Sequence, residues 1–283
     1  MLKKLLILLL ILPIFLPATE SPRRYLEDYL RVRGDLSGNE FVHHLQGHVY
    51  SLIPGEKSME LFAYEAYTIS RIEITEAGYR ILSKEVGLFL DHRTRQIMET
   101  WRNPFTQETL PVIQIWNDPV NQSFEYDANT LPFIRQFLPS TDLGESIVYH
   151  SEIFPFYPHV LSRRLYGDHV QSEYFQSAEL SEYRARKLDL TNTTLSSVPC
   201  ETSFTWIAPW LPFMKMGDRQ GQLLFVCKGS KLAGGFDELP QQLRTYVEKN
   251  NPGFASAPNL FSEPNATPWT YFKQRSEAAL ETN

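Results

Sequence analysis

The stretch that decides the fold covers residues 86–121 and reads VGLFLDHRTRQIMETWRNPFTQETLPVIQIWNDPVN. Three segments with the composition of strands are separated by two short turn sequences, which begin at Asp91 and Asn103. Asp and Asn at the start of a turn accept hydrogen bonds from the backbone two residues on. Pro104 presets φ for the second turn and cannot donate into a ladder. The stretch therefore predicts an antiparallel β-meander to which the rest of the chain adds strands.

The chain on both sides of this meander continues the β pattern. Residues 60–75 form a long β-rich run, and residues 203–210 and 222–228 alternate apolar and polar positions. We expect a mainly β fold, in which the antiparallel meander forms a barrel or strongly curved sheet. Closure is favoured because it removes exposed edge strands, and an open sandwich is the alternative.

A few peripheral helices are also predicted. Within residues 20–39, apolar residues recur at helical spacing, and Gly34 stops the run. Pro240 is expected in the first turn of a helix that ends near Asn250, and residues 269–280 predict a short final helix. The pattern of residues 122–200 supports no assignment.

The N-terminus has the pattern of a targeting segment. Lys3 and Lys4 precede an apolar run at residues 5–16, which is shorter than the roughly 20 residues that span a bilayer. We expect a signal peptide at residues 1–19, a single β-rich domain at residues 20–283, and export to the periplasm or the extracellular space. Membrane contact is expected only through this segment, where it stays uncleaved.

Charge and cysteine content limit the partners. The formal net charge is −6 and becomes −8 when the two lysines of the signal peptide are removed, which argues against nucleic acid. No phosphate loop or dinucleotide motif is present, and we expect no cofactor. Cys200 and Cys227 are the only cysteines. A disulfide and two separate buried thiols are both compatible with the sequence.

Six short motifs occur in order along the chain: LDHRTR at 90–95, ETWRNPFT at 99–106, PVN at 119–121, PW at 209–210, MGDR at 216–219 and ELP at 238–240. Together they resemble the family called domain of unknown function 1838, over about residues 33–271. The resemblance implies no catalytic residues, because the family has no established activity. The family pattern has glycine where Arg95 and Gln107 stand, which suggests that both turns tolerate ordinary residues and are structural.

The histidines give only a weak metal signal. His43, His44 and His48 lie close together, but a metal site needs two ligands on one face and a third nearby. Gly47 suggests a bend between them. We expect ordinary histidines and no metal site. A nucleophile elbow is also absent from the sequence, although a triad can be assembled from distant residues.

Aromatic residues give the strongest indication of a binding site. Aromatic side chains on one strand face line a cavity in some β proteins, while packing of an ordinary core explains the same pattern. A few polar side chains near such a wall would orient a ligand. The predicted ligand-binding residues are Trp101, Asn103, Trp206, Trp210, Asp218 and Arg219.

These observations lead to one main hypothesis and two alternatives. The main hypothesis is an exported protein that binds a small, largely apolar ligand in a β-sheet cavity. The first alternative is an enzyme, of the isomerase or hydrolase type, that acts on a small molecule in the same cavity with His or Asp as general base. The second is a structural or interaction module.

Overall fold

The computed structural model describes residues 21–127 and 129–281 of the chain. The predicted signal peptide lies outside these residues. Six helices are described: α1 (Pro22–Arg33), α2 (Ile134–Phe137), α3 (Arg163–Tyr166), α4 (Lys187–Thr191), α5 (Gln241–Asn250) and α6 (Pro268–Glu281). No helix in the described part is long and apolar enough to cross a membrane.

The strands described are β1 (Phe41–Leu52), β2 (Glu60–Thr75), β3 (Gly78–Leu90), β4 (Thr100–Arg102), β5 (Thr109–Pro111), β6 (Ile115–Asn117), β7 (Gln122–Glu125), β8 (Ser140–Asp142), β9 (Ser146–Ile153), β10 (Phe156–Pro158), β11 (Tyr174–Gln176), β12 (Ala178–Arg186), β13 (Glu201–Ala208) and β14 (Gln222–Leu232). The prediction of a mainly β, antiparallel fold with a few helices is confirmed.

Ten strands form one antiparallel sheet in the order β6-β3-β2-β1-β14-β13-β12-β9-β8, and β7 also pairs with β3. No ladder among the described residues joins the β6 edge to the β8 edge, so the predicted closure into a barrel is not confirmed. Two small sheets, β4-β5 and β10-β11, stand apart from the large one.

Residues 86–121 do not form one continuous meander. The first turn is followed by a single bridge between Leu90 and Ile97, and the second turn connects the strands of the separate β4-β5 sheet. β6 then returns to pair with β3. The turn chemistry is as predicted: Asp91 Oδ1 accepts from Thr94 N at 2.7 Å, and Asn103 Oδ1 accepts from Phe105 N at 2.8 Å.

Both turns place a residue in the left-handed region, which glycine adopts most readily. Arg95 has φ of 59° and Gln107 has φ of 64°. Each residue donates its N–H to the backbone carbonyl of the Asp or Asn that starts the turn, at 2.9 Å. The turns therefore accept ordinary side chains, but at backbone angles that suit glycine better.

The inner face of the large sheet carries two hydrophobic clusters. The tryptophan cluster includes Trp101, Trp206, Trp210 and Trp269 together with Phe62, Phe89 and Phe225. The tyrosine cluster packs helix α1 against the sheet through Tyr25, Tyr29, Tyr79, Tyr149 and Tyr183. The outer face of β1 to β3 is covered by helix α5, which buries Leu243 and Val247.

Helix α1 has the local signals that its position requires. Ser21 caps its N-terminus by accepting from Arg24 N at 3.2 Å, and Pro22 occupies the first turn. The helix ends at Arg33, before Gly34, as the sequence predicts. Arg33 is thus the last helical residue before the chain enters the sheet.

Two further sequence interpretations are settled by the strands. Gly47 produces no bend and lies in the unbroken strand β1; a Cβ there would lie 2.1 Å from the carbonyl oxygen of Val226 on β14. Glycine is thus required by close approach of the neighbouring strand. Cys200 and Cys227 are both buried free thiols, so the second of the two cysteine alternatives is correct.

The left-handed turn residue provides a test of this local structure. Gln107→Gly should raise the free energy of unfolding by up to about 1 kcal/mol, because glycine adopts a positive φ without strain. Gln107→Val should lower it by about 1–2 kcal/mol. Urea unfolding of the two variants and the wild type measures both effects. A valine variant as stable as the glycine variant would contradict the assigned backbone angle.

Candidate functional site

A polar layer separates the two inner clusters. On β1, His43 lies between Phe41 of the tyrosine cluster and Leu45, which packs on the tryptophan cluster. On β3, Ser83 and Glu85 occupy the corresponding inward positions. Inward positions recur every second residue in a strand, so neighbouring strands bring these polar side chains to one level of the sheet.

A cavity of about 130 Å³ lies in this layer. Its walls come from helix α1, from seven strands of the large sheet and from Val120. The lining residues are Arg33, His43, Leu45, Thr68, Ser83, Glu85, Val120, Gln122, Ser151, Ile153, Glu179, Ser181, Tyr183, Thr202 and Phe204. Polar groups thus outnumber apolar ones, unlike the largely apolar cavity that the sequence predicts.

His43 is held as a neutral, structural group. Its Nε2 lies 2.9 Å from the backbone carbonyl of Arg33, and its Nδ1 lies 3.1 Å from Thr202 Oγ1. Because a carbonyl only accepts, Nε2 carries the proton and Nδ1 accepts from the hydroxyl. Burial and the positive charge of Arg33 hold the pKa of His43 well below its ordinary value. His43 therefore orients the end of helix α1.

Two carboxyl groups face the same cavity. Glu85 on β3 accepts a hydrogen bond from Asn117 Nδ2 at 2.9 Å, and burial raises its pKa. Burial, with the charge of Glu85 second, raises the pKa of Glu179 on β12 to about 7. A carboxyl group with such a pKa is present in both protonation states near neutral pH. It can therefore donate or accept a proton.

Arg33 brings a buried positive charge to the cavity. The residue is only 8% exposed, and its Cζ lies 4.9 Å from the ring centroid of Tyr183. Its Nε and Nη1 are buried and have no hydrogen-bond partner in the described structure. Among the residues described, no carboxylate forms an ion pair with it. Its polar neighbours are the phenol groups of Tyr29 and Tyr183.

The three predicted tryptophans belong to the tryptophan cluster. Trp101 lies 5.1 Å from Phe62 between ring centroids, and Trp210 Nε1 donates to the carbonyl of Arg219 at 3.0 Å. Trp206 lies directly across the ladder from Glu179, and its buried Nε1 has no partner in the part of the chain described. Trp206 is therefore the predicted residue nearest to the cavity.

The three predicted polar residues lie outside the cavity. Asn103 is fully buried, and its Nδ2 donates to the carbonyl of Met214 at 2.8 Å, which ties the turn to the core. Asp218 forms an ion pair with Arg163 at the surface. Arg219 pairs with Glu56 at 2.6 Å. None of the six predicted residues lines the cavity as the described residues define it, and their role in ligand binding stays a prediction.

The remaining histidines near His43 are on the other face of β1. His44 Nε2 lies 2.9 Å from Glu65, and His48 Nδ1 lies 2.7 Å from Glu60. Within residues 21–127 and 129–281, no three His, Cys, Asp or Glu side chains are grouped to hold a metal ion.

A larger, open groove of about 900 Å³ lies beside β12 and helix α4. Most of its charged side chains have partners; Arg186 pairs with Asp189 at 2.9 Å, and Lys187 pairs with Asp142 at 2.5 Å. Lys231 Nζ donates to the carbonyls of Arg31 and Gly34 at 2.8 and 2.7 Å, as a cation does at a helix C-terminus. The charged groups of the groove are therefore less available to a ligand than those of the smaller cavity.

The sequence patterns do not single out Arg33, Glu85 or Glu179. Glu85 carries a usable signal, because it is a charged residue on the inward face of a strand that is otherwise apolar or small there. Glu179 lies in the segment that received no assignment, and Arg33 lies on a helix whose contact with the sheet is not visible in the sequence.

A family model described as "Protein of unknown function (DUF1838)" matches residues 38–276. The match includes every cavity residue except Arg33. The search of curated proteins found no match.

The titration of Glu179 provides a test of the cavity. The folded-state pKa of Glu179 is about 7, above the ordinary value of 4.5, so the folded protein binds this proton more tightly than the unfolded chain. The resulting stabilisation is complete below about pH 4.5 and is lost as pH rises through 7. Glu179→Gln should therefore be more stable than the wild type by about 2 kcal/mol at about pH 8, with a much smaller difference at about pH 5.

Urea unfolding at both pH values measures this difference. Glu182→Gln is the matched control, because Glu182 lies on the opposite face of the same strand and its Oε2 accepts from Ser203 Oγ at 2.9 Å. An equal effect of Glu179→Gln at both pH values would show that Glu179 is not held in a desolvated site.

Proposed function

We propose a function from the premise that the chain belongs to the DUF1838 family, whose description assigns no activity. The protein binds a small molecule in the cavity between its two inner hydrophobic clusters. The observation that carries this proposal is a buried guanidinium group without an anionic partner, in a cavity that also contains two carboxyl groups. A protein interior rarely keeps such groups unless they are paired or functional.

We also propose that the large sheet curls strongly around this cavity. Phe124 on β7 and Tyr149 on β9 both contact Tyr29, with ring centroids 5.9 and 5.6 Å from its own. Seven strand spacings separate β7 from β9 along the sheet, which in a flat sheet amounts to roughly 33 Å. Two rings that share one neighbour are at most about 12 Å apart, and strong curvature accounts for the difference.

The size of the cavity limits the ligand. An engineered cavity of about 150 Å³ holds benzene, so a cavity of about 130 Å³ encloses a molecule, or part of one, of similar size. Leu45, Ile153 and Phe204 supply apolar contact, while hydroxyl groups from several strands supply hydrogen bonds. The ligand therefore has an apolar body and at least one polar group.

Export remains part of the proposal. Lys3, Lys4 and the apolar run at residues 5–16 support a cleaved signal peptide, which would place the binding protein in the periplasm or the extracellular space. The N-terminus of the mature protein, determined after purification from its own host, tests this directly. A protein that retains residue 1 would contradict cleavage.

An enzyme acting in the same cavity is the second candidate. The pair of Glu179 and Glu85 favours it, because burial first, and the charge of Glu85 second, raise the pKa of Glu179 to about 7, a value useful for proton transfer. The wild type would then exchange α-hydrogens of small ketones for deuterium in heavy water, and Glu179→Gln would not. Equal exchange rates for the two proteins would remove this candidate and leave binding unaffected.

Filling the cavity tests the binding proposal. Ser181→Leu places a larger side chain among the lining residues and should weaken the binding of small fragments at least about tenfold. Saturation-transfer NMR with a panel of molecules of about six to nine non-hydrogen atoms measures this.

Ser203→Leu is the matched control. Ser203 lies on the adjacent strand but faces outward, so the same substitution leaves the cavity unchanged. The binding proposal fails if no fragment binds the wild type, or if Ser181→Leu and Ser203→Leu bind fragments equally well while both remain folded by circular dichroism.

A further inference from the structure

Arg33 places at the cavity a positive charge that no carboxylate among the described residues pairs with. A guanidinium group has five N–H donors and stays protonated at any physiological pH. Two of its nitrogens, Nε and Nη1, are buried without a partner in the described residues, and the whole residue is only 8% exposed. Removing a charge from water without pairing it is costly, so the protein keeps Arg33 here for a reason other than stability alone.

The surroundings of Arg33 favour an anion. Lys231 and Arg31 lie at this end of helix α1 and supply no negative charge; burial first, and then the charges of Arg33 and Arg31, lower the pKa of Lys231 to about 7. Both acidic residues of the same helix are already paired, Glu27 with Arg23 at 3.0 Å and Asp28 with Arg31 at 2.8 Å. The positive charge of Arg33 is therefore available to a negatively charged group in the cavity.

The two carboxyl groups do not provide that negative charge. Neither Glu85 nor Glu179 forms an ion pair with Arg33 within the described part of the chain. Tyr183, which lies under the guanidinium group, is four residues from Glu179 on the same strand, a separation of roughly 13 Å. Arg33 and Glu179 thus face different ends of one cavity.

We infer that the cavity takes a small monocarboxylic acid, whose carboxylate pairs with the Nε and Nη1 side of Arg33 while its apolar body lies against Leu45, Ile153 and Phe204. This inference rests on the proposed binding function and specifies its ligand. The planar fork of a guanidinium group matches a carboxylate in a bidentate arrangement. A monocarboxylate also fits better than a phosphate, because a dianion in so small a cavity would face the carboxyl groups of Glu85 and Glu179.

Two matched pairs of probes test this inference: crotonate with crotonamide, and benzoate with benzamide. Each pair has the same shape and differs in the charge of one group. Isothermal titration is carried out at about pH 6, where Glu179, with its pKa of about 7, is mostly protonated. The wild type should bind at least one carboxylate about tenfold or more tightly than its amide.

Three variants separate charge, geometry and folding. Arg33→Met should abolish the preference for the carboxylate. Arg33→Lys should keep part of it, because lysine retains the charge but lacks the bidentate fork. Arg163→Met is the control, since Arg163 pairs with Asp218 at the surface and should leave the preference unchanged. Urea unfolding of Arg33→Met shows whether the variant remains folded; a ligand-binding arginine predicts a variant about as stable as the wild type, or more stable.

Each outcome decides the question. Carboxylate and amide binding with equal affinity, or a preference that persists in Arg33→Met, overturns the inference and leaves the binding function intact. If neither probe pair binds while neutral fragments still bind, the inference is also overturned and the binding function stays intact. If no fragment of any kind binds the wild type, the binding function itself is overturned. If Arg33→Met unfolds, Arg33→Lys takes its place in the test. A preference of Arg33→Lys for the carboxylate over its amide that equals the wild-type preference then overturns the bidentate pairing.

Discussion

Desolvation of the polar layer is the constraint on which the rest of the structure depends. The layer lies between two hydrophobic clusters, so its groups must find partners within the protein or in a ligand. His43 satisfies both ring nitrogens with Thr202 and the end of helix α1, and Glu85 receives Asn117. Arg33 keeps two buried nitrogens that have no partner among the described residues. The clusters thus fix the sheet and the helix around a cavity whose polarity is set by a few buried side chains.

Much of the strand pattern was predictable because alternation is a local property. β2 runs from Glu60 to Thr75, as the sequence predicts, and the Asx turns at Asp91 and Asn103 form as their side chains require. The pairing of β6 with β3 and the separate β4-β5 sheet were not predictable, because they depend on contacts between distant residues. Alternation identifies the face of a strand and carries no information on the curvature of a sheet.

The candidate site was harder to predict than the fold, for a physical reason. An aromatic stripe has the same appearance in sequence when it fills a core and when it lines a cavity, and the predicted tryptophans here belong to a buried hydrophobic cluster. The charged residue at an inward-facing strand position, Glu85, is the more discriminating signal, because burying a charge is costly. Arg33 and Glu179 reach the cavity only through tertiary contacts. Arg33 lies on a helix that packs on the sheet, and Glu179 lies on a strand within residues 122–200, whose pattern supports no assignment.

Native mass spectrometry of the mature protein, purified under mild conditions from its own host, tests the central claim most directly. The account predicts a stoichiometric extra mass of about 80–160 Da, the mass of a molecule that fits the cavity, which is lost on denaturation. The same extra mass should be absent from Arg33→Met purified in parallel. A wild-type protein whose native mass equals that of the bare polypeptide, or an adduct that Arg33→Met retains in full, would contradict the account.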